Sequence, residues 1–294
     1  MLLNFAAPTR SFCTMKRWTF RIAGALALVF TLLAGCSTLD EKQRAWIFQP
    51  GNRSWAGGVA AAQGLQDRWI TYDSAITGQP VRLHGLWLPA GKADAPVLLY
   101  LHGARWNVTG SAGRIRRMQE LGFSVLAVDY RGFGQTSSEL PSEAMAAEDA
   151  RAAWDWLAAH YPATPRYIFG HSLGGAIAIG LAAAVTDEAG TIVEGTFTSI
   201  PDVVASTRWG WVPVGPLITQ RFSAVDKVAQ IGSPLLVVHG GRDSLIPPDL
   251  GRRLFEAAPG PKAFVLVEDG SHHNTNAVGQ PQYREALARL FSLG

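Results

Sequence analysis

The fold is decided by Gly170-His171-Ser172-Leu173-Gly174-Gly175, a stretch that stands between two different sequence patterns. Ahead of it, residues 166–169 are largely aromatic and β-branched, which predicts a buried strand. Behind it, residues 176–184 are rich in alanine and predict a helix. A Gly-x-Ser-x-Gly pattern between a strand and a helix is typical of a nucleophile elbow, a sharp turn that exposes the serine hydroxyl. Ser172 is therefore the candidate nucleophile, and the simpler alternative is a glycine-rich turn with an idle serine.

Strands and helices alternate on both sides of this stretch. Continuous apolar runs predict strands buried on both faces of a parallel sheet, and they lie at residues 97–101, 124–128, 167–169, 196–197, 235–238 and 264–267. Helical patterns lie between them at about 113–121, 142–160, 173–185, 248–257 and 282–291. Residues 68–74 and 81–88 alternate polar and apolar side chains. The sequence therefore predicts an α/β fold, with a mostly parallel doubly wound sheet and an N-terminal antiparallel hairpin.

The composition narrows the class of protein. The chain has 294 residues, 48% of them hydrophobic, which is enough for one sizeable core. Its net charge of +3 comes from the first 35 residues, which contain basic residues and no acids. The remainder has 22 Lys and Arg against 23 Asp and Glu, which gives no support for nucleic-acid binding. Cys13 and Cys36 are the two cysteines, and the sequence predicts neither a disulfide nor thiol catalysis.

The N-terminus has the pattern of a targeting segment. A basic region from Met15 precedes an apolar run at residues 22–33, which is shorter than the ~20 apolar residues of a membrane-spanning helix. The run ends in Leu33-Ala34-Gly35-Cys36, which resembles a bacterial lipoprotein signal with its lipobox. That resemblance implies cleavage before Cys36, acylation of this residue and a periplasm-facing protein anchored by lipid. Ser37 favours the outer membrane, and the alternative is a plain signal peptide or a short anchor helix.

Three parts are predicted along the chain. Residues 1–35 form a signal peptide with translation starting at Met15, residues 36–66 form a lipidated tether and lead-in, and residues 67–294 form one α/β domain. Residues 201–232 interrupt the alternation of strands and helices with two tryptophans and three prolines. We predict that they form a small lid over the edge of the sheet. The alternative is a structural crossover that buries these aromatic side chains in the core.

A serine nucleophile needs a base within hydrogen-bond reach, and the base needs a carboxylate that orients it. Downstream of Ser172, His239 lies inside an apolar strand, where a structural role is expected. His272 and His273 instead follow the strand at 264–267, at the strand end where catalytic groups of open α/β sheets collect. One of this pair is therefore the candidate base.

The candidate acid also follows a strand. Asp243 comes just past the end of the strand at 235–238, so that it would lie at the same edge of the sheet. Asp202 follows the preceding strand and is the fallback. Asp129 precedes the serine in the chain and ends its own strand, and we assign it a structural role beside the site.

The oxyanion hole would use two backbone N–H groups. One would come from Leu173, at the N-terminus of the helix that follows the serine. The other would come from the loop after the strand at 97–101, where we expect Ala104 to donate, with Arg105 as the alternative.

Five motifs occur in the order that is typical of one superfamily. They are Leu101-His102-Gly103, residues 129–134, the elbow at 170–175, residues 239–247 and Gly270-Ser271-His272. With these motifs the chain resembles the α/β-hydrolase superfamily, and within it the small-lid esterase, depalmitoylase-like and serine-aminopeptidase-like group. The resemblance implies a Ser–His–Asp triad and an acyl-enzyme mechanism, with neither metal nor cofactor.

The end of the last motif departs from the family pattern. The usual Gly-x-Gly-His-Asn-Asp type of ending is replaced by residues 269–275, with the sequence Asp-Gly-Ser-His-His-Asn-Thr. The spacing from Pro261 favours His272, which we expect to be the base, whereas the His-Asn pair favours His273 as the alternative.

Taken together, these patterns predict a carboxylesterase-like serine hydrolase that cleaves an ester or thioester of a small or lipid-like acyl substrate. Peptidase or acyl-transferase chemistry on the same triad is the alternative within enzymes. A non-catalytic lipoprotein that uses the fold as a binding module is the alternative outside them, since one scaffold can host several functions.

Overall fold

In the computed structural model of this chain, the described residues are 35, 37–54 and 56–293. They belong to two units, Met1–Gln43 and Arg44–Gly294. In the first unit, residues 35 and 37–43 are helical. The predicted signal peptide, apart from residue 35, and Cys36 lie outside the described residues. Within the part of the chain that the structure describes, no helix has the length and hydropathy needed to cross a membrane.

The second unit is built on an eight-stranded sheet. Its strands are β1 (Gln66–Asp73), β2 (Pro80–Leu88), β3 (Val97–Leu101), β4 (Ser124–Val128), β5 (Arg166–His171), β6 (Gly190–Glu194), β7 (Leu235–Gly240) and β8 (Lys262–Val267). They follow the order β1-β2-β4-β3-β5-β6-β7-β8. The pairs β1–β2 and β2–β4 are antiparallel and all later pairs are parallel. The predicted α/β fold with an N-terminal antiparallel hairpin is confirmed.

Helices cover both faces of this sheet. They are α1 (Ala56–Ala61), α2 (Ala112–Glu120), α3 (Glu143–His160), α4 (Leu173–Ala182), α5 (Ile200–Ala205), α6 (Ala224–Val228), α7 (Pro248–Ala257), α8 (Thr275–Val278) and α9 (Gln280–Phe291). Alternate residues of β3 belong to two separate hydrophobic clusters, one containing Leu99 and residues of α3 and α4, the other containing Tyr100 and residues of α2 and α9. Because successive strand side chains point to opposite faces, the sheet has a core on each side.

The prediction of a strand at residues 196–197 is wrong. The strand in this part of the chain is β6, whose buried Thr191-Ile192-Val193 run has the β-branched composition of a central strand. It ends before Gly195, which has φ +57° and turns the chain away from the ladder. Thr196 then lies beside the elbow, where its hydroxyl donates to the Ser172 carbonyl at 2.9 Å.

The segment ahead of the hairpin belongs to the second unit from Arg44 onward. Residues 44–48 are helical, and Phe48 is fully buried against Phe133 and Phe222. Trp46 is exposed. Part of the predicted tether and lead-in at 36–66 therefore contributes to the core of the same unit as the sheet.

The segment predicted as a lid contains α5, a short helical turn at Gly215–Leu217 and α6. Between α5 and this turn, Trp209 and Trp211 are 56% and 76% exposed. A crossover that buries these two tryptophans in the core is therefore not what the structure contains. That the segment acts as a lid stays a prediction.

Candidate active site

The elbow places Ser172 at the junction of β5 and α4. Its backbone has φ +56° and ψ −122°, a strained conformation for a residue with a side chain, and its N–H donates to the Glu194 carbonyl at 2.9 Å. A Cβ at Gly170 would lie 2.2 Å from the Gly174 carbonyl oxygen, and a Cβ at Gly174 would lie 2.1 Å from the Leu101 carbonyl oxygen. The two glycines that flank the serine are thus required by close backbone approach.

Three predicted site residues meet at the C-terminal edge of the parallel strands. Nε2 of His272 lies 3.0 Å from Oγ of Ser172, and Nδ1 of His272 lies 2.8 Å from Oδ2 of Asp243. Asp243 follows β7 and His272 follows β8, and both residues are 6% exposed. Serine, imidazole and carboxylate therefore form one hydrogen-bonded line, which is the geometry a base needs to take a proton from the hydroxyl.

The Asp243 carboxylate is held in its ionised form. Burial raises its pKa, but hydrogen bonds and charge from the histidines outweigh burial and hold the pKa of Asp243 below its usual range. Oδ1 also accepts the backbone N–H groups of Leu245 and Ile246 at 3.0 and 2.8 Å. A buried anion at this position keeps the proton of His272 on Nδ1 and leaves Nε2 free to accept from the serine.

The two alternative residues have other surroundings. The His273 ring packs edge-on against the His272 ring at 5.3 Å, and in the described residues its side chain makes no hydrogen bond with Ser172. Asp202 accepts hydrogen bonds from the hydroxyls of Thr198 and Ser199 at the start of α5. The geometry therefore favours His272 over His273 and Asp243 over Asp202.

Comparisons with known proteins agree with this architecture. A family described as serine aminopeptidase matches residues 92–222. The protein MT2364 of Mycobacterium tuberculosis is 31% identical over 278 residues, which cover 92% of this chain and 95% of that protein. Lysophosphatidylserine lipase ABHD12 of Xenopus tropicalis is 32% identical over 185 residues, and the match spans 55% of this chain and 47% of that lipase. The solved esterase Pf2001 of Pyrococcus furiosus has the same fold, with a TM-score of 0.64 and 20% identity over 82% of this chain and 99% of that one.

The chain belongs to the α/β-hydrolase superfamily. The ABHD12 lipases are longer proteins, and the chain spans about half the length of the Xenopus one. Membership of the superfamily fits the strand order, in which an antiparallel pair precedes a parallel sheet and the serine follows β5.

The candidate oxyanion hole of this hydrolase lies beside Ser172. A Cβ at Gly103 would lie 3.1 Å from the Ser172 Cβ, so the loop after β3 packs against Ser172. In the described residues, the backbone N–H groups of Leu173 and Ala104 have no hydrogen-bond partner. The N–H of Arg105, the alternative donor, is already bound to the Phe48 carbonyl at 2.8 Å. This favours Leu173 and Ala104 as the donors.

Sequence reasoning missed a buried network behind His272. Arg114 Nε donates to Glu194 at 2.9 Å, and its Nη2 donates to the carbonyls of His273 and His272 at 3.2 and 3.4 Å. Tyr283 donates to the other Glu194 oxygen at 2.6 Å. The sequence signal for this network was Glu194, which ends the run 190–194. A charged residue in a buried strand needs a partner of opposite charge or a hydrogen-bond donor. The network fixes the backbone that carries His272.

Two further histidines lie close to His272 and Asp243. Burial, followed by the Arg114 charge, lowers the pKa of His171 well below its ordinary value, so that His171 is neutral. Nε2 of His239 lies 3.0 Å from the Ile246 carbonyl and 3.5 Å from Oδ2 of Asp243. His239 therefore supports the loop that carries Asp243, which fits the structural role expected for it.

A cavity of about 350 Å³ opens at Ser172. Its lining includes Ser172, His272, Trp106 and Leu245, and every lining residue lies outside the segment 201–232. In the described part of the chain, no group of three or more His, Cys, Asp or Glu side chains could hold a metal ion. Ser172 and His272 in the cavity lining are residue types that nucleophilic and acid–base chemistry uses.

Proposed function

We propose that this chain is a serine hydrolase that cleaves a carboxylic ester or thioester. The observation that carries the proposal is the continuous hydrogen-bonded line from Ser172 Oγ through His272 to the ionised Asp243. It supports Ser172 as nucleophile, His272 as base and Asp243 as the residue that orients the base.

In the proposed reaction, Oγ of Ser172 attacks the carbonyl carbon while its proton passes to Nε2 of His272. The carbonyl oxygen becomes an oxyanion, which accepts from the N–H groups of Leu173 and Ala104. The intermediate then expels the alcohol or thiol, which takes the proton from His272, and the acyl group stays on the serine. Water attacks the acyl-enzyme with His272 again taking a proton, and the carboxylic acid leaves as Ser172 regains its hydrogen.

A lipid-like acyl ester is the substrate class that we propose. The support is the likeness to lysophosphatidylserine lipase ABHD12, a protein whose name states a lipid substrate. The cavity beside Ser172 offers both an apolar side chain, Leu245, and polar groups to such a molecule.

Peptidase activity on the same triad is the second candidate, because the matching family is described as serine aminopeptidase. The two candidate activities can be distinguished by comparing the rates at which the protein cleaves an ester and an amide of the same acid. An esterase releases p-nitrophenol from p-nitrophenyl esters quickly and leaves amino acid p-nitroanilides nearly intact, whereas a peptidase cleaves the anilides.

Fluorophosphonate labelling of the full chain tests the proposal directly. We expect the probe to modify Ser172, as mapped by mass spectrometry, because only an activated serine reacts with it. Ser172→Ala should lose both the label and p-nitrophenyl ester turnover while keeping the folded circular-dichroism spectrum. Absence of label on well-folded wild-type protein would instead favour a non-catalytic binding module.

We also propose that Cys36 carries a lipid anchor that holds the protein on the periplasmic side of the outer membrane. The support is the order of basic region, apolar run and Leu33-Ala34-Gly35-Cys36. In a bacterial host fed an alkynyl fatty acid, Cys36→Ala should lose the lipid label, whereas Cys13→Ala, ahead of Met15, should keep it. Undiminished labelling of Cys36→Ala would refute the anchor.

A further inference from the structure

A second cavity, of about 730 Å³, adjoins the cavity at the nucleophile. Gln49, Arg105 and Trp106 line both cavities, so the two form one continuous surface. The second cavity is also lined by Arg53, which comes from the chain ahead of the hairpin. A substrate whose reacting carbonyl is at Ser172 can therefore extend past Arg105 and Trp106 toward Arg53.

This surface is positively charged. None of the residues that line either cavity is an aspartate or glutamate. Arg114, in the inner cavity, is compensated by Glu194. In contrast, no carboxylate of the described residues lies within salt-bridge distance of Arg53 or Arg105. The chain beyond residue 35 has nearly balanced charge, so two arginines without a carboxylate partner at these adjoining cavities are a local feature.

The backbone of Arg105 is held in place, and its side chain is exposed to solvent. Its φ is +81°, a left-handed conformation that strains a residue with a side chain and that is found at functional sites. Its backbone N–H is bound to Phe48, and its Nε donates to Oε1 of Gln49 at 3.2 Å. The charge of Arg105 also acts on His273. Burial is the largest cause that lowers the pKa of His273, followed by the charges of His272 and Arg114, and Arg105 contributes to a smaller degree.

We propose that Arg105 and Arg53 form an anion subsite, which binds a phosphate or carboxylate group carried by the ester that Ser172 cleaves. The proposal rests on the proposed hydrolase function and narrows its substrate class to anionic esters. Guanidinium groups suit this role because they donate paired, charge-assisted hydrogen bonds to both kinds of oxyanion. Because the anionic group is remote from the reacting carbonyl, the contact should act on KM more than on kcat.

Three esters with the same acyl chain test the subsite on the full chain: hexanoyl glycerol, hexanoyl glycerol phosphate and the hexanoyl ester of glyceric acid. We expect the wild type to prefer at least one of the two anionic esters. Arg105→Gln should raise KM for the preferred ester by about tenfold or more, and should raise KM for hexanoyl glycerol by a much smaller factor. Arg53→Gln should act in the same direction.

Two controls separate recognition from general effects. Arg105→Lys keeps the charge and should restore part of the lost affinity. Arg151→Gln removes an equally positive charge on α3, where Arg151 is exposed and paired with Asp155, and should leave all three KM values unchanged. The preference for the anionic ester should also shrink as salt is added, because the guanidinium groups are exposed to solvent.

If the protein does not hydrolyse these esters, the subsite can still be tested by measuring how tightly they bind to Ser172→Ala. Calorimetry should give tighter binding of an anionic ester than of hexanoyl glycerol, and Arg105→Gln should abolish the difference. Equal binding of all three esters, or an equal effect of Arg105→Gln on the neutral one, would refute the subsite. Loss of fluorophosphonate labelling together with anion-selective binding would refute the hydrolase function and leave the subsite standing.

Discussion

Replacing His272 with alanine should lower kcat for ester hydrolysis by about 10⁵-fold or more, since the base of a triad and its serine act as one unit. His272 Nε2 lies 3.0 Å from the Ser172 hydroxyl and is the imidazole nitrogen that can take its proton. Without this nitrogen the hydroxyl keeps its proton and remains a weak nucleophile. Stopped assays with a p-nitrophenyl ester, together with the rate of fluorophosphonate labelling, measure both consequences.

His273→Ala is the matched control. It removes the same side chain from the next residue, in the same cavity, and we expect kcat to stay within about tenfold of the wild type because His273 makes no hydrogen bond with the serine in the described structure. Both variants are compared by circular dichroism and urea unfolding. A larger loss for His273→Ala than for His272→Ala would transfer the role of base to His273.

The choice between these two histidines illustrates why the sequence left the base open. In the loop after β8, the backbone N–H and the hydroxyl of Ser271 both donate to Oδ1 of Asn274, at 2.7 and 2.9 Å. With this turn, His272 is buried and His273 is exposed. A pair of adjacent histidines offers no periodic signal, because the direction of each side chain depends on hydrogen bonds that form within the folded loop.

Patterns with a direct steric or hydrophobic cause were predictable. The elbow could be recognised because close backbone approach requires glycine at 170 and 174. Strand β3 could be recognised because it is continuously apolar and buried, and β4 because it is apolar after Ser124 and buried. In contrast, β6 was predicted at residues 196–197 instead of 190–194. The run 190–194 contains a threonine and ends in a glutamate, so it lacks the continuous apolar pattern of a buried strand.

The partners of the buried glutamate of that strand could be identified only from the folded structure. Glu194 is fully buried, and its partners Arg114 and Tyr283 lie 80 and 89 residues away in the chain. No local sequence pattern shows that Glu194 pairs with Arg114, which is one of several arginines on α2, or with Tyr283 near the C-terminus. The anion subsite was missed for the same reason, because Arg53 and Arg105 come together only after Phe48 is packed into the core.

Replacing Asp243 with asparagine is expected to lower kcat by about 10⁴-fold while the site keeps its shape. The carboxylate accepts from Nδ1 of His272 at 2.8 Å, which keeps the other nitrogen unprotonated and facing Ser172. An asparagine amide can donate to Nδ1 instead, so that the proton moves to Nε2 and the imidazole can no longer accept the serine proton. Pre-steady-state assays should therefore give slow acylation rather than weak substrate binding.

Asp202→Asn provides the matched control for this substitution. Asp202 also lies beyond a strand of the sheet, but its carboxylate accepts from Thr198 and Ser199 at the start of α5, and an asparagine carbonyl can accept the same bonds. Its kcat should remain within about tenfold of the wild type. If Asp202→Asn caused the larger loss, the carboxylate that orients the base would be Asp202, and the bond between His272 and Asp243 would have only a structural role.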